Sequence, residues 1–113
     1  MRREQRLGAD HEFLRVRRAG RSWAHPLLVL FAARTAGSGP TRVGVTVGRR
    51  VGGAVVRNRA RRRVREVVRL AYPALCSGWD LVFVVREGAA DVGGGEIARA
   101  VHVLLRRSGV MGG

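Results

Sequence analysis

Residues 49–69 read RRVGGAVVRNRARRRVREVVR and hold nine arginines against a single acid, Glu66. Such a segment cannot be buried on all sides, so as a regular element it must keep its charges on one side. Stepped at roughly 100° per residue, Val56, Ala60, Val64, Val67 and Ala71 fall within about 40° of one line. Asn58, Arg62, Arg65 and Arg69 fall opposite them. Arg57 and Arg61 flank one shoulder, and Arg59 flanks the other with Glu66. Arg63 lies near the apolar edge and must run its stem along that edge to reach water. Gly52 and Gly53 break the chain ahead of this pattern and Pro73 stops it. The spacing predicts a helix over Ala54–Ala71, about 27 Å long, with one side on a sheet and a continuous cationic face on the other.

Like charges one turn apart destabilise a helix by a few tenths of a kcal/mol per pair. A row of them is a standing cost that a polyanion relieves, and each phosphate contact also releases counterions. Asn58 adds an amide able to donate and accept to a sugar, a base edge or the backbone. The whole chain carries 22 basic and 8 acidic residues, a net charge of +14. Every basic residue is arginine; with the abundant Ala, Gly and Val this suggests a GC-rich coding sequence, so the count and placement of charge carry the argument. A solvated face ordinarily mixes signs, whereas this one has a single acid. A membrane-lying helix needs Trp, Phe or Leu anchors, whereas the apolar side here is Val and Ala. Nucleic acid is the expected partner.

The rest of the 113 residues suits one small domain. Residues 1–8 read as a basic flexible arm, 9–108 as the domain and 109–113 as a loose tail. A first helix is predicted over Asp10–Ala19, capped by Asp10 and ended by Gly20, with Phe13 and Val16 on one side. Ser22–His25 extends the next strand or forms a short one of its own. Leu27–Arg34 reads as a buried strand, with Leu27, Val29, Phe31 and Ala33 on one face and Leu28, Leu30 and Ala32 on the other. Ala36–Pro40 reads as a turn, and Arg42–Val47 as a strand hairpin-paired with the preceding one, presenting Val43, Val45 and Val47 together. Asp80–Arg86 is a further strand. A helix over Glu96–Arg107 buries Ile97, Ala100, Val101, Leu104 and Leu105. The order places the chain in the α+β or split α/β class. The single cysteine, Cys76, permits no internal disulfide and suits a reducing compartment. With no apolar leader at its start and no long apolar run, the chain is expected in the cytoplasm.

Autonomous catalysis is not expected. A protein nuclease needs an acid/base pair or clustered carboxylates. His11, His25 and His102 are scattered, and Asp80, Glu87 and Asp91 lack a convincing spacing.

The stretch RVGVTVGRRVGGAVVRNRARRRVRE closely resembles the signature region of the bacterial ribonuclease P protein family. The matching residues are Val43-Gly44-Val45, the pair Arg49-Arg50, Ala54-Val55, Arg57-Asn58-Arg59, Arg61-Arg62 and Arg65-Glu66. The early Phe13, Gly20, the late GWDLVFVVR strand and the closing amphipathic helix extend the likeness over roughly residues 7–107. The resemblance implies a three-layer αβββαβα fold, related to a domain of a ribosomal protein, with a left-handed βαβ crossover against the usual right-handed rule. It implies a catalytic RNA as partner and precursor tRNA as substrate, whose 5′ leader the holoenzyme removes. Mg2+ would be organised mainly by the RNA, no metal would be bound by a protein motif, and no obligatory protein partner or membrane is implied.

By position, the resemblance assigns Arg49, Arg50, Arg57, Asn58, Arg59, Arg61, Arg62 and Arg65 to RNA contact. It assigns Phe13, Val29, Phe31, Val82, Val84 and Arg86 to a cleft for the single-stranded leader, where base stacking on Phe13 requires no sequence preference. Phe31 reads equally as core packing. Arg17 stands where the family often has an aromatic; its guanidinium can stack and contact phosphate, so it joins the cleft. Gly48 and Gly53 replace common Ser and Asn, and Gly53 caps a helix less well than Asn. Two other readings share the charge: a ribosome-associated structural RNA-binding domain, which needs no leader cleft, and a double-stranded DNA binder.

Overall fold

Strand and helix periodicities alternate along the chain, and the computed structural model, which describes residues 1–35 and 39–111, realises them in the order α1 (Asp10–Ala19), β1 (Arg21–Ala24), β2 (Leu28–Arg34), β3 (Arg42–Val47), α2 (Ala54–Ala71), β4 (Trp79–Val85), α3 (Gly94–Ser108). Short 3₁₀ turns precede α1, β4 and α3, and another, Arg49–Val51, leads into α2. The αβββαβα order is the one implied by the family resemblance. The expected turn at Ala36–Pro40 lies in part outside the described residues, as does the end of the tail at Gly112 and Gly113.

The four strands form one sheet in the order β1-β2-β4-β3. β1 and β2 are an antiparallel pair, with Trp23 opposite Leu30. β4 lies between β2 and β3, antiparallel to the first and parallel to the second. The expected hairpin between β2 and β3 therefore does not form. The reason is burial: Leu81, Val82 and Phe83 of β4 are fully buried, and a strand buried on both faces needs a hydrogen-bonded neighbour on each side as well. β3, α2 and β4 make a βαβ unit between adjacent parallel strands.

Alternation along the strands sorts side chains into two cores. Leu28, Leu30 and Ala32 of β2, Val43, Val45 and Val47 of β3, and Leu81, Phe83 and Val85 of β4 meet α2 and α3 on one face. Ile97, Ala100, Val101, Leu104 and Leu105 of α3 all enter this core, as their spacing predicts. On the other face Val16 of α1 packs with Leu7, Ala33 and Val82, joined by Phe13, Phe31 and Val84. The result is helix, sheet and helix pair in three layers. Leu27 departs from its expected face: it precedes β2 and packs with the larger core.

Local details differ from expectation at three places. Asp10 is the first residue of α1 rather than its cap, a position held by Ala9; there its charge still complements the positive end of the helix dipole. The supposed flexible arm is anchored at its end: Leu7 is 5% exposed, and its N–H donates to the Val43 carbonyl at 3.0 Å, on the outer edge of β3. The supposed loose tail is packed through Met111. Gly109 turns the chain at φ 77°, a left-handed value suited to glycine. Val110 is then fully buried, and its carbonyl accepts from the Cys76 N–H at 2.8 Å. Among the described residues, no helix is long and apolar enough to cross a membrane.

Candidate nucleic-acid interface

Two surfaces gather the residues singled out from the sequence. The first is the outer face of α2. Ala60, Val64, Val68 and Ala71 are buried against the sheet and α3. This leaves Asn58, Arg59, Arg62, Arg65 and Arg69 exposed, with Arg57, Arg61 and Arg63 half-buried. The buried line is turned by about 40° from the predicted one, with Val68 inside and Val67 half-exposed. Arg63 reaches past the apolar edge, and its guanidinium donates to the Val92 carbonyl at 3.2 Å. Arg61 donates to the Asn58 side-chain oxygen at 2.8 Å, which leaves the Asn58 amide protons for another acceptor.

The face is electrostatically stressed. Partial desolvation and the neighbouring charges of Arg61 and Arg6 lower the proton affinity of Arg65 from its ordinary value. Glu66 is held by Arg69 at 2.5 Å, and that hydrogen bond keeps its carboxyl below the usual range. Among the described residues, Arg49, Arg50, Arg59, Arg62 and Arg65 have no acidic partner within 4.0 Å. A groove of about 510 Å³ runs between the N-terminal segment and α2, walled by Met1, Arg6, Arg59, Arg62, Arg63, Arg65, Glu66 and Arg69. Arg6 and Arg69 thus join the face, although only the spacing of Arg69 revealed this in the sequence. The anchoring of Leu7 that positions Arg6 is a tertiary contact.

The second surface lies between α1 and the sheet. Phe13 and Arg17 stand one turn apart on α1. Phe13 lies directly over Gly44 of β3: a Cβ placed there would be 2.3 Å from the ring. The Arg17 guanidinium sits 5.2 Å from the centre of the Phe31 ring, within cation–π range. Val29 of β2 pairs across the ladder with Val84 of β4, and both are half-buried. Val82 shares this face but is fully buried beneath it; it is floor, not a contact surface. Arg86 is exposed just past β4, its guanidinium 3.4 Å from the His25 carbonyl. Arg49 and Arg50 meet this region at its end: with Pro26, Val84 and Arg86 they line a second cavity of about 530 Å³.

A third cluster escaped the sequence reading. Asp80 is fully buried on the α1 face at the start of β4. Arg42 of β3 donates to both its oxygens, each at 2.9 Å; the Thr35 hydroxyl donates at 3.0 Å, and Arg15 of α1 completes the set. Burial pushes the Asp80 carboxyl up, but these hydrogen bonds and the charges of Arg42 and Arg15 outweigh it and hold the group below the usual carboxylate range. The available signal was an acid in phase with Val82 and Val84 in an otherwise apolar strand. Glu87 and Asp91 lie beyond the far end of β4, so the three carboxylates do not come together. Among the described residues, no three His, Cys, Asp or Glu side chains gather as metal ligands.

Comparison with known proteins gives the family and the fold. The family model described as Ribonuclease P matches residues 1–109. The ribonuclease P protein component of Roseiflexus castenholzii is 46% identical over 114 residues, covering 100% of this chain and 93% of the relative. That of Symbiobacterium thermophilum is 39% identical over 111 residues, covering 98% and 96%. Among solved structures, the Staphylococcus aureus RNase P protein superposes with a TM-score of 0.88 at 23% identity, over 96% of this chain and 98% of that one, a likeness of fold. The RNase P protein from Thermotoga maritima gives 0.78 at 25% identity, over 89% and 96%. With the family model spanning almost its whole length and relatives this similar covering all of it, the chain belongs to the ribonuclease P protein family.

Proposed function

We propose that this chain is the RNA-binding, non-catalytic subunit of its ribonuclease P, working in the cytoplasm with a catalytic RNA that removes the 5′ leader from precursor tRNA. The observation that carries the reading is the one-sided α2, where arginines without acidic partners line a single face and a groove beside it. Guanidinium forks suit phosphate oxygens in pairs, and the like-charge cost along the helix is relieved when phosphates lie against it. Arg49, Arg50, Arg57, Asn58, Arg59, Arg61, Arg62 and Arg65 are the residues assigned to the catalytic RNA.

The surface between α1 and the sheet is assigned to the single-stranded leader. Phe13, Phe31 and the Arg17 guanidinium supply faces for stacking, and Val29 and Val84 supply apolar contact. Arg86 supplies charge at the end nearest Arg49 and Arg50. Magnesium requires several oxygen ligands. Among the described residues the carboxylates do not gather into such a set, and Asp80, Glu12 and Glu66 are each engaged by arginine. The reading therefore leaves the metal to the RNA, and the protein raises substrate and metal affinity indirectly.

The test is reconstitution with a bacterial ribonuclease P RNA at low magnesium. Addition of the chain is expected to raise cleavage of precursor tRNA, with release of the leader. No gain over the RNA alone would count decisively against the assignment. Crosslinks from positions 13 and 31 to leader nucleotides separate this role from that of a structural RNA-binding domain, which would give none.

A further inference from the structure

α1 is held to the sheet along one flank by charge and offers its other flank to the cleft. Measured from Val16, which points straight into the sheet and is fully buried, Glu12 and Arg15 lie about 40° and 100° to one side, and Phe13 and Arg17 about 60° and 100° to the other. Arg15 reaches the buried carboxylate of Asp80. Arg42 binds the same carboxylate and turns its remaining Nη1 to Glu12 at 2.6 Å. The Thr35 hydroxyl, at the end of β2, takes the last acceptor position on Asp80. One carboxylate thus ties α1 directly, and through Arg42 a second time, to the ends of three strands.

A buried ion pair is a poor way to add stability, because desolvation offsets much of the attraction. Its distinctive property is geometric: paired forks allow only a narrow range of positions. A roll of α1 by about 20° would move a ring carried about 6 Å from the helix axis by about 2 Å. That is enough to take Arg17 out of range of Phe31 and to lift Phe13 from Gly44, the two contacts that shape the cleft.

We propose that Asp80 is a positioning residue for the strand-binding face: through Arg15, and through Arg42 to Glu12, it sets the roll of α1 at which Phe13 lies over Gly44 and Arg17 stands over Phe31 to receive single-stranded RNA. The inference rests on the leader reading above, and it assigns a role in binding to a residue that touches no RNA.

The test uses the reconstituted holoenzyme and two precursor tRNAs, one with a long single-stranded leader and one with its leader trimmed to a single nucleotide. The readout is the ratio of their affinities, together with the affinity of the protein for the catalytic RNA. Asp80→Asn and Arg15→Gln are each expected to shrink the leader advantage about fivefold, the scale of one weakened stack. The trimmed substrate and the catalytic RNA should bind within about twofold of the parent chain, whereas general unfolding would weaken all three together. Should Asp80→Asn unfold the chain, Arg15→Gln decides, since Arg42 and Thr35 still satisfy Asp80 in that variant. If Phe13→Ala abolishes the leader advantage and Arg15→Gln leaves it intact, the positioning role is overturned and the leader reading survives. If Phe13→Ala also leaves it intact, the leader reading itself fails and takes the proposal with it.

Discussion

Asp80 accepts four hydrogen bonds with no contact to solvent. Its folded-state pKa lies below the value of an unfolded-chain carboxyl, so the network's stabilisation is complete above that unfolded value. It is lost as pH falls through the folded one. The parent chain should therefore lose denaturant resistance steeply below about pH 4. Asp80→Asn should cost about 3–5 kcal/mol at neutral pH, the range expected when one partner leaves a buried ion pair, and should flatten the acid side of the curve. Urea midpoints across pH 7 to pH 3 check both. Gly44 is a second position where one atom decides the outcome. An added methyl there meets the Phe13 ring at 2.3 Å. The half-buried ring can swing aside, so Gly44→Ala is expected to cost only about 1–2 kcal/mol while weakening binding of single-stranded RNA more than the loss of stability explains. Urea unfolding read beside leader affinity separates the two effects.

In α2 the two faces make opposite demands. Arg62 is exposed on the cationic side, so Arg62→Glu should leave the unfolding midpoint almost unchanged and weaken binding of the catalytic RNA. Val64 is fully buried; Val64→Ala should cost about 2–3 kcal/mol, from the lost methyl burial and the cavity left behind. Paired urea melts and RNA titrations of the two variants check this, and a collapse of Arg62→Glu would mean that the faces are exchanged. The bounds of this helix were readable because Gly53 and Pro73 punctuate it locally. The end of α1 was readable from Gly20, and the apolar side of α3 from helical spacing. The orientation of α2 was read less well: its buried line is shifted toward Val68 because the helix packs on α3 as well as on the sheet, a neighbour that periodicity within one helix does not reveal.

For the whole molecule the dominant quantity is charge. With 22 basic and 8 acidic residues and one arginine-rich face, affinity for RNA should fall steeply with salt. If about six phosphates are neutralised, the slope of log K against log salt should be about −4 to −5; filter binding over a range of potassium concentrations measures it, and a slope near zero would contradict the electrostatic argument. The order of elements, the two faces of each strand and the polarity of α2 follow from contacts between residues a few positions apart, and such contacts leave a periodic trace along the chain. Strand order leaves no such trace. β4 enters between β2 and β3 from more than thirty residues downstream, because the most deeply buried strand takes the centre of the sheet. Asp80 finds Arg15 and Arg42 across separations of 65 and 38 residues, and Leu7 and Val110 draw the chain ends into the fold. What a residue can be was written locally; which distant partner satisfies it depended on how the layers closed, since burial and pairing are properties of the assembled packing rather than of any one segment.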